Sequence, residues 1–162
     1  MLAADPGASI AAVAAEAGVD RRTVYRRFSS RDELLAAVHE ARLTAVEHAI
    51  EDARLREAPV AVALHRYVEN VIAVNRTWPV DLARMLADDD VHARREASVR
   101  EVDAFLERAT VEGLLRPGLA EGWVSALLPQ LMHLVARQLP ELSPARAADV
   151  VVDTLPHGLG AS

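Results

Sequence analysis

Between Ser9 and Glu33 the chain signals three helix starts in close succession, and the first two helices they open must be short. Ser9 precedes an apolar stripe of Ile10, Val13, Ala14 and Ala17, at the i, i+3, i+4, i+7 spacing that gathers side chains on one helix face. Gly18 ends this helix, because glycine enters the left-handed region past a helix terminus without a Cβ clash. Asp20 caps a second helix expected over Arg21–Phe28, which Ser29 and Ser30 break. Ser30 and Glu33 then have the S-x-x-E spacing of a capping box and open a third helix. Two short helices joined by a glycine-containing turn, the second one basic, make the helix-turn-helix pattern. Ala14 and Ala17 are small enough for the pair to approach closely, and Val19 and Val24 are expected to fill the core between them.

The charge distribution agrees with that pattern only locally. The whole chain carries −6, which argues against a nucleic-acid partner. From Asp20 to Arg31, however, five arginines stand against one aspartate. A basic patch on an acidic body steers one face onto phosphate while the rest is repelled. Charge alone would favour a solvated helix face; the motif decides otherwise. Arginine bridges phosphate oxygens or reads guanine bidentately, and threonine and tyrosine hydroxyls bond phosphate. Arg21, Arg22, Thr23, Tyr25, Arg26, Arg27 and Arg31 are therefore the candidate DNA-binding residues.

The stretch Gly18-Val19-Asp20-Arg21-Arg22-Thr23-Val24-Tyr25-Arg26-Arg27-Phe28, followed by Ser29-Ser30-Arg31-Asp32-Glu33-Leu34-Leu35, resembles the signature of the TetR family of bacterial transcriptional regulators. That signature reads Gly-Val-Ser-x-x-Thr-aliphatic-Tyr-x-His-Phe, then a small polar pair, a basic residue, acidic residues and leucine. The resemblance implies DNA contacts from Arg21, Arg22, Thr23, Tyr25 and Arg26, a phosphate contact from Arg31, and a core position for Phe28. Asp20 departs from the usual Ser or Thr, and Arg27 from the commoner His. The family also begins with an amphipathic helix, of which Met1-Leu2-Ala3-Ala4 resembles only the last turn. A head lacking that cover would expose Ile10, Val13 and Val24, at roughly 1.5–3 kcal/mol each, and is expected to bind DNA poorly.

Beyond the head, every remaining segment reads as helix. Aromatic residues make up 4% of the chain, so the core must be built from the abundant Ala, Leu and Val, which favours an all-α fold. A long helix is expected from Ser30 to about Arg56, then one to about Asn75 buried on most faces, a break at Trp78-Pro79, and a short helix over Val80–Ala87. A polar helix over Val91–Glu112 and an apolar one over Ala120–Gln138 follow. Ser143 and Pro144 open a last helix to about Leu155, after which Pro156, Gly158 and Gly160 mark a tail. The head is drawn at residues 1–42 and an effector-binding and dimerisation domain at 43–162. With no cysteine, disulfides and thiolate metal sites are excluded. Neither a secretory signal nor a span of about 20 apolar residues is evident, so a cytoplasmic location is expected. The six histidines never take the i, i+4 spacing of a metalloprotease helix. No P-loop or nucleophile elbow occurs either, so neither an enzyme nor a cofactor or metal is expected.

The resemblance implies a homodimer built from the last two helices. The apolar surface agrees: Trp123, Leu127, Leu131, Leu134, Val151 and Leu155 are the candidate seam, on helices with more apolar area than one protomer buries. A palindromic operator in double-stranded DNA and an unknown small-molecule effector are the implied partners. His65, Asn75, Trp78, Arg84, Met85, Met132 and His133 are the candidate ligand residues among the central helices. Pro129 cannot donate to the Ser125 carbonyl, so a bend there has room to open a cavity. The function expected is that of a repressor released by its effector. The alternative is a dimeric small-molecule-binding module that no longer binds DNA.

Overall fold

The computed structural model describes residues 9–78 and 89–158, with side chains over 9–78 and 95–155. Seven helices and no strand are found among the described residues: α1 (Ile10–Glu16), α2 (Arg21–Arg27), α3 (Arg31–Ala53), α4 (Val60–Thr77), α5 (Asp89–Val111), α6 (Trp123–Gln138) and α7 (Pro144–Gly158). The helix expected over Val80–Ala87, with Arg84 and Met85, lies outside the described residues.

The three N-terminal caps form as the sequence requires. Ser9 Oγ accepts from the Ala12 N–H at 3.1 Å, Asp20 Oδ1 from Arg22 N–H at 2.7 Å, and Ser30 Oγ from Glu33 N–H at 3.1 Å. The return arm of the expected capping box goes one residue further back: Glu33 Oε2 accepts from both the N–H and the hydroxyl of Ser29, each at 2.6 Å. Those bonds hold the Glu33 carboxyl below its ordinary range. Between α1 and α2 the chain makes a Schellman turn. Gly18, at φ +65, donates to Ala15 O and Val19 donates to Ala14 O.

Two apolar clusters result. In the head, Ile10, Ala14, Val24 and Leu34 pack together, with Val13, Phe28 and Leu35 partly covered beside them. In the body, α4 is the central helix: it packs against α3, α5, α6 and α7. Its Leu64, Val68 and Ile72 are fully enclosed, as are Leu128 and Met132 of α6 and Val151 and Leu155 of α7. Burial of each such large side chain is worth roughly 2 kcal/mol. Helix α3 runs through both clusters, lending Leu34 to the head and Ala49, Ile50 and Ala53 to the body.

Two arginines fasten loops onto this body. Arg76, at the end of α4, donates to Leu142 O at 2.7 Å and to Leu139 O at 3.0 Å in the α6–α7 connection. Arg108 of α5 donates to Arg56 O at 2.9 Å and Ala58 O at 2.7 Å in the α3–α4 connection. Each guanidinium fork spans two carbonyls that no helix satisfies, which is geometry a lysine lacks.

Several expectations are corrected. Val19 is 44% exposed and Ala17 is exposed too, so Val24 and Ala14 alone carry the α1–α2 contact. The Schellman turn fixes the Val19 backbone and leaves its side chain outside. Helix α3 stops at Ala53 rather than Arg56, because Arg54 turns left-handed at φ 53. Helix α6 begins at Trp123, three residues later than expected, after Gly118 and Gly122 both take positive φ. Helix α7 continues past Leu155 and through Pro156 to Gly158. Helix α4 is not buried all round: Val62 is exposed.

Candidate functional site

The short helix α2 presents its arginines outward. Arg21, Arg22, Thr23, Tyr25, Arg26 and Arg27 are all exposed, while Val24 alone turns into the head cluster. Arg31, in the first turn of α3, is half-buried. The Arg21 guanidinium lies over the Tyr25 ring, 5.1 Å from its centroid, and reaches the Tyr25 hydroxyl at 3.4 Å. Among the described residues no carboxylate pairs with Arg22, Arg26 or Arg27. Asp20, the acidic departure in the motif, spends its carboxylate on the α2 N-terminus, so its charge is drawn toward the backbone. Phe28 is only partly covered, at the edge of the head cluster.

A second feature lies in the body. A cavity of about 110 Å³ opens between α3, α4, α5 and α6. Arg42, Leu43, Val46 and Ile50 of α3 form one wall, and Tyr67, Val71 and Asn75 of α4 another. Arg95, Val102 and Asp103 come from α5, and Ser125, Pro129 and Met132 from α6. Its polar groups are arranged in pairs. Arg42, only 6% exposed, donates from Nη2 to Asn75 Oδ1 at 2.7 Å. Ser125 Oγ donates to Asp103. Burial pushes the Tyr67 phenol up to about 12. Burial and then the Arg95 guanidinium hold Arg42 below the ordinary arginine range.

Of the expected ligand residues, Asn75 and Met132 line this cavity. His65, Trp78 and His133 do not. His65 is instead engaged between α4 and α7, with Nε2 3.0 Å from Asp149 Oδ1 and Nδ1 3.7 Å from Glu69 Oε2. The sequence reading missed Arg42, Tyr67, Arg95 and Asp103. A signal for Arg42 was present: it interrupts the apolar stripe of the long third helix on the side that turns inward. Ser125 and Pro129 both reach the cavity, where the proline leaves the Ser125 carbonyl without its helical donor.

The expected seam divides in two. Trp123 and Leu134 of α6 are 48% and 53% exposed, and Leu127 and Leu131 are half-buried. Val151 and Leu155, by contrast, are consumed by the protomer's own core, and Val150 is the apolar residue that α7 turns outward. No helix among the described residues is long and apolar enough to cross a membrane. No cluster of potential metal ligands occurs among them.

Comparison with known proteins places this architecture. Residues 6–38 match the model of bacterial regulatory proteins of the tetR family. The helix-turn-helix transcriptional repressor LfrR of Mycolicibacterium smegmatis is 29% identical over 165 aligned positions, which take in 98% of this chain and 84% of the repressor. A crystal structure of the same TetR-like regulator in complex with proflavine superposes with a TM-score of 0.78 at 25% identity, covering 99% of this chain and 90% of that one. The TetR-family regulator PfmR of Thermus thermophilus shares the fold at 19% identity, with a TM-score of 0.72 over 96% of this chain and 91% of its own. The all-helical body, the outward-facing basic helix and these matches agree, and the chain belongs to the TetR family of bacterial transcriptional regulators.

Proposed function

We propose that this regulator is a homodimeric repressor that a small molecule releases from its operator. The division of labour would fall at residues 1–42 for the DNA-reading head and 43–162 for the effector-binding, dimerising body. One observation carries the reading: α3 is both a wall of the cavity, through Arg42, Leu43, Val46 and Ile50, and a part of the head cluster, through Leu34. Anything that moves that wall moves the head with it. The description of LfrR as a repressor, and its structure with proflavine, supply the repressor and small-molecule parts of the proposal.

Cavity size supports the coupling. At about 110 Å³ it is well below the ~300–1,000 Å³ that drug-sized ligands occupy. An occupant larger than a single ring must therefore displace a wall. Two heads on one dimer must reach half-sites about 34 Å apart, a helical turn of DNA. A displaced α3 changes that separation, and the ligand favours the state whose spacing is wrong for the operator. A coupling of about 1–3 kcal/mol is typical of such linkage.

The test is a gel-shift titration with DNA from the gene's own upstream region at low and moderate salt. A dimer-sized complex on a palindromic segment, weakened by salt, is expected. Absence of any complex at low salt refutes the repressor reading and leaves the ligand-binding module without DNA.

A further inference from the structure

We propose that the cavity between α3, α4, α5 and α6 selects an anionic ligand, a compact aryl carboxylate, with its charge at Arg42 and Arg95; this rests on reading that cavity as the effector site. Two guanidiniums line the cavity and one carboxylate does. The carboxylate, Asp103, already accepts the Ser125 hydroxyl. On the basic side, Asn75 offers Arg42 a neutral acceptor. Like charges sharing a poorly hydrated space repel, and the second-largest influence holding Arg42 down is Arg95. An anion placed between them is attracted by both, whereas a cation is repelled by both. The planar fork of arginine matches the two oxygens of a carboxylate, which favours that group over a point charge.

Tyr67 adds a donor to the same space. Its phenol stays protonated to about 12, so it offers a hydroxyl and brings no competing negative charge near neutral pH. The remaining walls, among them Val71 and Met132, are apolar. The volume of about 110 Å³ approaches that of an engineered dry cavity of ~150 Å³ that admits one benzene ring. One ring carrying one carboxylate is thus the ligand that size and charge together describe.

The test uses three probes that share a ring and differ in charge: benzoate, benzamide and benzylamine. Each is titrated into the intact protein by calorimetry at neutral pH, with thermal shift alongside. Benzoate is expected to bind at least tenfold more tightly than the other two. Arg95 is only half-buried, so Arg95→Gln is the variant best able to fold. It should weaken benzoate about tenfold or more and leave benzamide nearly unchanged. The charge series on the unaltered protein decides the matter even if that variant fails to fold. Benzylamine binding as tightly as benzoate overturns the charge assignment and leaves the effector cavity standing. Benzoate binding that ignores Arg95→Gln puts the anion elsewhere and also overturns the proposal. If no probe of any charge binds, the effector-cavity reading fails and takes this inference with it.

Discussion

Arg42 on α3 donates from Nη2 to the side-chain carbonyl of Asn75 on α4, across 2.7 Å in the interior. The bond joins the helix that carries the head to the central helix of the body, in the wall of the cavity. A hydrogen bond to a charged group is worth about 1.5–3 kcal/mol. Asn75→Ala removes the acceptor and should lower unfolding stability by that amount in urea, with an unchanged m value. Asn75→Asp keeps an acceptor there and should cost less. Equal stability in all three proteins would show that the bond contributes nothing.

Tyr67 gives the body an alkaline limit. Its ordinary value is 10.0, and burial pushes it up to about 12 in the folded protein. Between those values the unfolded chain gives up the phenolic proton while the folded chain keeps it. The unfolded state then binds fewer protons, so unfolding stability falls as pH rises, by at most ~1.4 kcal/mol per pH unit. Below pH 10 the contribution is flat. The profile of Tyr67→Phe, measured by denaturation across the same range, should lack this component. Parallel profiles would assign the loss to other groups.

The local features were legible because their causes are local. Ser9, Asp20 and Ser30 each precede a helix start, and each caps the N–H that its spacing predicts. The outward face of α2 follows from one apolar residue, Val24, among polar ones. The three consecutive valines 150–152 show where such reading stops. Periodicity cannot rank identical neighbours, and the one facing out is Val150 rather than Val151. The cavity was half legible. Asn75 and Met132 stand out as a polar and a flexible residue on apolar helices. Arg95 and Asp103, however, look like any charge on a polar helix until packing brings α5 against α3 and α6.

Arg76 should behave as a fastener. Its two bonds, to Leu142 O and Leu139 O, attach the α6–α7 connection to the end of α4. Arg76→Ala strands two carbonyls in a part-buried setting and should cost about 2–3 kcal/mol. Arg76→Lys restores the charge but not the fork, and should recover less than half of that loss. Full recovery by lysine in thermal unfolding would mean that charge, and not the paired geometry, holds the loop.

On the basic face, the contribution of each arginine can be read from salt. A protein that neutralises Z phosphates shows a slope of about −0.9Z in log K against log salt. Arg22→Ala and Arg26→Ala should each weaken operator binding and make that slope shallower by about 0.9. Neither side chain packs in the head cluster, so thermal stability should stay within about 0.5 kcal/mol. An unchanged slope in both variants would remove α2 from the phosphate-contacting surface.

Leu134 and Val151 separate two uses of apolar surface on adjoining helices. Leu134 is 53% exposed on α6 and belongs with Trp123 to an outward strip; Val151 is 1% exposed within the body. If that strip is the seam of a homodimer, Leu134→Asp introduces a charge at the interface while leaving the protomer core untouched. Sedimentation velocity should then report a monomer with native helicity, and DNA affinity should fall because the two heads are no longer joined. Val151→Asp instead buries a carboxylate with no partner, a substitution expected to cost several kcal/mol. That variant should lose helicity outright. A Leu134→Asp protein that still sediments as a dimer would place the subunit contact on another face.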